Sequence, residues 1–141
     1  MKAQEIRRLL RELIAECSSA NLITIGPEGY ARGRLMGDGN VGDDWIFWYA
    51  TYTSSRKVAE IAANPKVTLF YERKRDQAFA CVMGEAEVRT DEPIKDEYWR
   101  DEWREYWPQG RTDPNYCIVL VRPIFGEIWD ADADGVRVVE F

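Results

Sequence analysis

From residue 20 onward the chain changes direction every few residues, and that rhythm limits the folds open to it. "NLITI" (21–25), "YARGRLM" (30–36), "WIFWYAT" (45–51), "VTLFYE" (67–72) and "FACVMGEAEV" (79–88) are short runs rich in β-branched and aromatic residues. "YCIVLVRP" (116–123), "GEIWD" (126–130) and "VRVVEF" (136–141) continue the series. Turn residues separate most of them: "GPEG" (26–29), "GDGNVGDD" (37–44) and "RKRDQ" (73–77). Strands joined by short turns pair antiparallel, whereas a doubly wound parallel sheet needs a helix between successive strands. The expected fold is therefore mainly β, of the α+β kind: an antiparallel barrel of about six to seven strands with peripheral helices, in a single domain spanning 1–141.

Three helical patterns interrupt the strands. Over residues 2–17, Ile6, Leu9, Leu10, Leu13, Ile14 and Cys17 fall on one stripe, and Arg8 and Glu12 can pair on the wet side. A short helix follows "TSSR" and stops at Asn64-Pro65. Residues 91–107 read as a third helix, capped by Thr90 or Asp91, with Pro93 in its first turn and Trp99, Trp103, Tyr106 and Trp107 on one face. Gly84, inside the longest strand pattern, predicts a bulge or bend.

Composition narrows the chemistry. With 141 residues, 6 Trp, 7 Tyr and 5 Phe, the chain can bury one core. A net charge of −6 disfavours nucleic-acid backbones, and no apolar run reaches membrane-spanning length, so the expected setting is cytoplasmic. Cys17, Cys81 and Cys117 lack the spacing of a disulfide or zinc framework and are expected to act as small buried hydrophobes. There is no histidine. Ser-His-Asp and Cys-His catalysis and histidine metal sites are thereby excluded, which leaves carboxylates, Lys, Tyr, Cys or a borrowed cofactor.

Some motifs fail on context. Gly37, Gly39 and Gly42 spell G-x-G-x-x-G, but a strand follows, not the helix that a pyrophosphate needs. Asp130, Asp132, Asp134 and Gly135 begin like an EF-hand, yet the twelfth position is Phe141, so a solvated hairpin turn is expected and no metal. The carboxylates of 91–107 read as the wet face of a helix.

The stretch "TSSRKVAEIAANP" (53–65) carries more. A helix N-terminus presents unpaired N–H groups and partial positive charge. Ser55 can cap it or turn to a phosphate oxygen, Arg56 can fork onto two oxygens, and Lys57 adds a point charge. Together they form a socket for a dianion.

With the strand before it, this stretch resembles the FMN-binding split-barrel family, which includes pyridoxamine 5′-phosphate oxidases and general-stress-protein flavoproteins. In that family an apolar strand ends in an aromatic and Thr, then come Ser-Arg-Lys, a helix and Asn-Pro; here these are Tyr49, Thr51, Ser55-Arg56-Lys57 and Asn64-Pro65. "ARGRLM" (31–36), "VTLFY" (67–71), "FACVMGEAEV" (79–88), "YWPQG" (106–110) and "GEIWD" (126–130) resemble further family segments in the same order. The resemblance implies a split β-barrel, homodimeric, with flavin at the two-fold interface. It implies that Ser55, Arg56 and Lys57 hold the FMN phosphate and that Thr51 lies near the phosphate or ribityl chain. Arg34 would sit by the isoalloxazine edge, with the backbone of Leu35 and Met36 beside the ring. Arg32 has the same strand parity, so a swap with Arg34 stays open. Trp129 or the aromatics of 99–107 would come across the dimer.

The chain also departs from the oxidases. Gly37-Asp38-Gly39 stands where they place a Lys, and Phe79 falls where they carry a Gln, with Gln77 two residues early. The end, "ADADGVRVVEF", is acidic, whereas theirs is basic. Vitamin B6 oxidation is therefore not expected. The expectation is an FMN flavoprotein of the general-stress type: an oxidoreductase passing electrons between a small-molecule donor and acceptor, or a non-catalytic flavin carrier or redox sensor. FAD, a deazaflavin or pyridoxal phosphate would suit the same socket. No catalytic side chain is assigned.

Overall fold

The structure is a computed structural model describing residues 1–37, 40–132 and 134–141. Helix α1 (Ala3–Glu16) buries Ile6, Leu10, Leu13 and Ile14, the expected stripe, and Arg8 meets Glu12 at 2.9 Å on the outside. Then come β1 (Ala20–Ile25), β2 (Ala31–Met36), β3 (Asn40–Val41) and β4 (Phe47–Tyr52). Helix α2 (Arg56–Ala63) leads into β5 (Lys66–Arg73) and β6 (Ala78–Arg89). Helix α3 (Glu92–Tyr98) and two 3-10 turns, Asp101–Glu105 and Gly110–Thr112, precede β7 (Tyr116–Trp129) and β8 (Arg137–Glu140).

All described pairings are antiparallel, in the order β2-β1-β5-β6-β7-β4-β3, with β8 also on β7. The sheet curls into a half-barrel, as expected of a mainly β chain. Its concave side is filled by Leu22, Phe47, Leu69, Val82 and Val121 together with Leu10 of α1. The other side of β7 carries a second cluster, Trp103, Trp107, Tyr116 and Ile118.

Five sequence expectations need correction. Residues 91–107 are not one helix: α3 ends at Tyr98, and Trp99 is extended (φ −59, ψ 138). The Trp99 indole donates to Asp101 at 2.9 Å, and its ring packs edge-on to Tyr116 at 5.2 Å, so aromatic packing outweighs helical spacing. Asp91 precedes the first turn without a side-chain cap, because its carboxylate takes Arg89 at 2.7 Å. The runs 116–123 and 126–130 are one strand. A register shift at Met83/Gly84, the bulge expected at Gly84, passes over Ile124, whose carbonyl accepts from Phe141 N at 3.0 Å. Trp45 lies outside β4: it turns with φ 67 beneath Arg11, whose guanidinium sits 4.2 Å from its ring centre. The expected loop 37–44 contains β3, while its Asp38 and Gly39 lie outside the described residues. In the acidic turn after β7, Asp130 pairs with Arg137 at 3.6 Å; Ala133 lies outside the described residues, and no metal-ligating group of side chains occurs among those described.

Candidate functional site

Four segments converge on a cleft of about 360 Å³. Leu35, Met36 and Gly37 come from the end of β2, and Ala50, Thr51 and Tyr52 from the end of β4. Lys57 enters from the first turn of α2, and Trp103, Tyr106 and Trp107 form an aromatic wall. The curl of the sheet brings this about, since β2 and β4 lie far apart in strand order.

The loop before α2 is held from outside. Thr53 N donates to Asn115 O and Ser54 N to Asn115 Oδ1, each at 3.0 Å. Ser55 occupies the N-cap position, but its hydroxyl donates to Tyr52 O at 2.7 Å and caps nothing. The first-turn amides of α2 therefore have no side-chain partner. Lys57 Nζ donates to Thr51 Oγ1 at 2.8 Å and meets no carboxylate among the described residues. Burial pulls its pKa down, and the Arg34 charge pulls it further in the same direction. Arg56 is exposed and likewise makes no ion pair among the described residues. This end of the cleft holds cations and uncapped amides without an anion among the described residues.

Beneath the cleft lies a group that the sequence reading missed. Glu60, one turn further along α2, is 6% exposed. One carboxylate oxygen accepts from Thr24 at 2.9 Å and from Arg34 at 3.0 Å; the other accepts from Arg32 at 2.8 Å. Burial would raise its pKa, but Thr24 and the two guanidinium groups outweigh burial and hold it below the usual range. Arg34 also donates to Thr24 Oγ1 at 2.7 Å and Leu22 O at 3.2 Å. Arg32 and Arg34 thus share a face, as parity requires, and share the Glu60 carboxylate, with the exposed Glu28 a second partner of Arg32 at 2.9 Å. The signal was present in "SRKVAE": an acid at helical spacing behind the cations faces strand β2.

The remaining residues of the sequence-read set lie elsewhere. Tyr49 is buried, with its hydroxyl 2.6 Å from that of Tyr71. Phe79 stacks between Phe70 (5.4 Å) and Trp129 (6.1 Å) on the outer face of the sheet. Leu35, Met36, Thr51 and Lys57 therefore line the cleft, Ser55 and Arg56 flank it, Arg34 lies beneath it, and Tyr49, Phe79 and Trp129 do not line it.

The architecture defines a class, the split barrel of the pyridoxamine-phosphate-oxidase kind. A structure from Clostridium acetobutylicum, described as related to general stress protein 26 of B. subtilis, superposes with TM-score 0.85 at 22% identity, over 100% of this chain and 97% of that one. General stress protein 26 from Bacillus anthracis gives 0.79 at 20% identity, over 97% and 99%. A pyridoxamine 5′-phosphate oxidase-related, FMN binding protein from Nostoc punctiforme gives 0.71 at 15% identity, over 96% and 85%. No curated protein sequence matches the chain significantly. The family profile described as "Pyridoxamine 5'-phosphate oxidase like" matches residues 5–140, and the chain belongs to that family.

Proposed function

We propose that this protein binds FMN in the cleft between β2, β4 and α2 and acts as a flavin-dependent oxidoreductase on a small substrate. The observation that carries this reading is the unpaired charge at the head of α2: a half-buried Lys57 bonded only to a hydroxyl, an exposed Arg56 and uncapped helix amides. A phosphate monoester supplies the missing anion, with roughly two charges and three acceptor oxygens near neutral pH. The residues present fit such a group. Lys57, Arg56 and the α2 amides would hold the phosphate, and Thr51 would fix the Lys57 ammonium. The backbone of Leu35 and Met36 with the Trp103–Trp107 wall would receive the planar ring. Arg34, half-neutralised by Glu60, would lend positive charge from beneath. Bound FMN would supply hydride and electron transfer.

A homodimer fits the same reading. The outer sheet face exposes Leu35, Phe125 and Val138 beside the Phe70–Phe79–Trp129 ladder, an apolar surface that a second copy would cover. A non-catalytic flavin carrier or redox sensor is the second reading. It draws on the cleft wall, where Lys57, Tyr52 and Tyr106 are the only titratable side chains among the described residues.

An absorption spectrum separates a flavin from a deazaflavin or pyridoxal phosphate, and parallel fluorescence titrations with FMN and FAD separate those two, which share one chromophore. The double variant Arg56→Ala, Lys57→Ala should lose FMN while remaining folded, since each charge-assisted contact contributes about 1.5–3 kcal/mol. Unchanged affinity in that variant would refute the socket. An enzyme, once reduced with NADH or NADPH, should reoxidise with some acceptor faster than free FMN does; a carrier should not.

A further inference from the structure

We propose that a second cavity, between the C-terminal end of α1 and the strands β4 and β5, binds a small carboxylate through the paired hydroxyls of Tyr49 and Tyr71. The cavity holds about 340 Å³, within the size range of small-molecule sites. It does not depend on the flavin reading, and its lining shares only Met36 with the cleft.

The tyrosine pair carries one proton more than it can use internally. Tyr49 is 2% exposed and Tyr71 5%, and both line the cavity. Their hydroxyl oxygens are 2.6 Å apart, and neither has another hydrogen-bond partner among the described residues. Two hydroxyls carry two protons, and the link between them consumes one. The other is a buried donor without a protein acceptor, a costly arrangement unless something in the cavity accepts it. Burial pushes the Tyr49 pKa up to about 12; burial and the neighbouring Tyr49 raise that of Tyr71 as well. The pair is therefore a donor throughout the working pH range. The first hydroxyl polarises the second, which strengthens the bond that the second donates.

The rest of the lining selects the occupant. Arg11 is half-buried there, lies over Trp45 and donates to Gly42 O at 3.3 Å, with no carboxylate partner among the described residues. No Asp or Glu among the described residues lines the cavity, and Ile14, Ala20, Met36 and Val41 supply apolar wall. Hydroxyl donor, guanidinium and apolar wall together match an anion that brings only acceptors on a compact apolar body.

The test uses benzoate as the probe on the purified full chain, by calorimetry and ligand-observed NMR. Benzoate should bind, and the neutral isostere benzamide should bind at least about tenfold more weakly. Tyr49→Phe and Tyr71→Phe singly should retain binding, because the surviving hydroxyl still has a proton and no internal acceptor. The double variant should lose at least about tenfold in affinity while melting as a folded protein. Arg11→Gln should narrow the gap between benzoate and benzamide. Absence of benzoate binding at about 10 mM would overturn the proposal. So would a double variant that binds like the wild type, or single variants that each lose as much as the double.

Discussion

Glu60→Ala is the perturbation with the largest effect that can be worked from the structure. Glu60 alone accepts from both strand arginines and from Thr24, at 2.8–3.0 Å. Removing it leaves Arg34 facing a cavity with no carboxylate partner among the described residues, while Arg32 keeps only the exposed Glu28 at 2.9 Å; breaking a buried pair costs about 3–5 kcal/mol. The Arg32 and Arg34 side chains keep 26% and 20% exposure, so water recovers part of that, and about 3 kcal/mol is expected. Over 141 residues the entropy of unfolding is roughly 0.3 kcal/mol/K, so Tm should fall by about 10 °C. Glu60→Gln keeps an acceptor oxygen but loses the charge, and about half the effect should remain. The assay is urea denaturation from pH 7 down to pH 3. The folded-state pKa of Glu60 is lowered, so its contribution is complete above the ordinary carboxylate pKa of about 4.3 and is lost as pH falls through the lower folded value. The gap between wild type and variant should close on the acid side. A loss under about 1 kcal/mol at pH 7, or a gap unchanged at pH 3, would refute the clamp.

Three further outcomes follow from the same geometry. FMN affinity should fall at alkaline pH from below the ordinary lysine pKa of about 10.4, because the pKa of Lys57 is lowered; Lys57→Arg should remove that fall in a fluorescence titration. Gly84→Ala should destabilise by at least about 2 kcal/mol in a urea melt, since a Cβ there would run into the backbone carbonyl of Arg122 at the bulge. If the proposed dimer forms through the outer face, Phe79→Glu should give a monomer in sedimentation without unfolding the chain, as Phe79 stacks there between Phe70 and Trp129.

Much of the barrel is legible in the sequence because its strands alternate cleanly. β1 reads buried-intermediate from Ala20 to Ile25, and β5 repeats the pattern from Val67. What escapes is decided by contacts distant in sequence. Pro123 and Gly126 look like a break in β7, yet a bulge facing β6 absorbs the missing N–H and the strand runs on. The spacing of Trp99, Trp103 and Trp107 suits a helix, but the rings pack around Tyr116, which lies in another element. At the site, the cations that open α2 are plain in the sequence, and Lys57 does line the cleft. Glu60 looks like an ordinary wet-face acid, because only folding shows that strand β2 lays two arginines over it.

The strand β7 is covered on both faces where it begins. Val119 looks into the half-barrel, while Tyr116 and Ile118 hold Trp103 and Trp107. The indole of Trp107 is further tied to Asn115 O at 2.8 Å, beside the turn that anchors the loop ahead of α2. The aromatic side of the cleft is thus no detachable flap. Peeling it away would bare Tyr116 and Ile118 on a central strand and break the Trp107 tether, so this side of the receptacle is stiffened by the same packing that holds the sheet together.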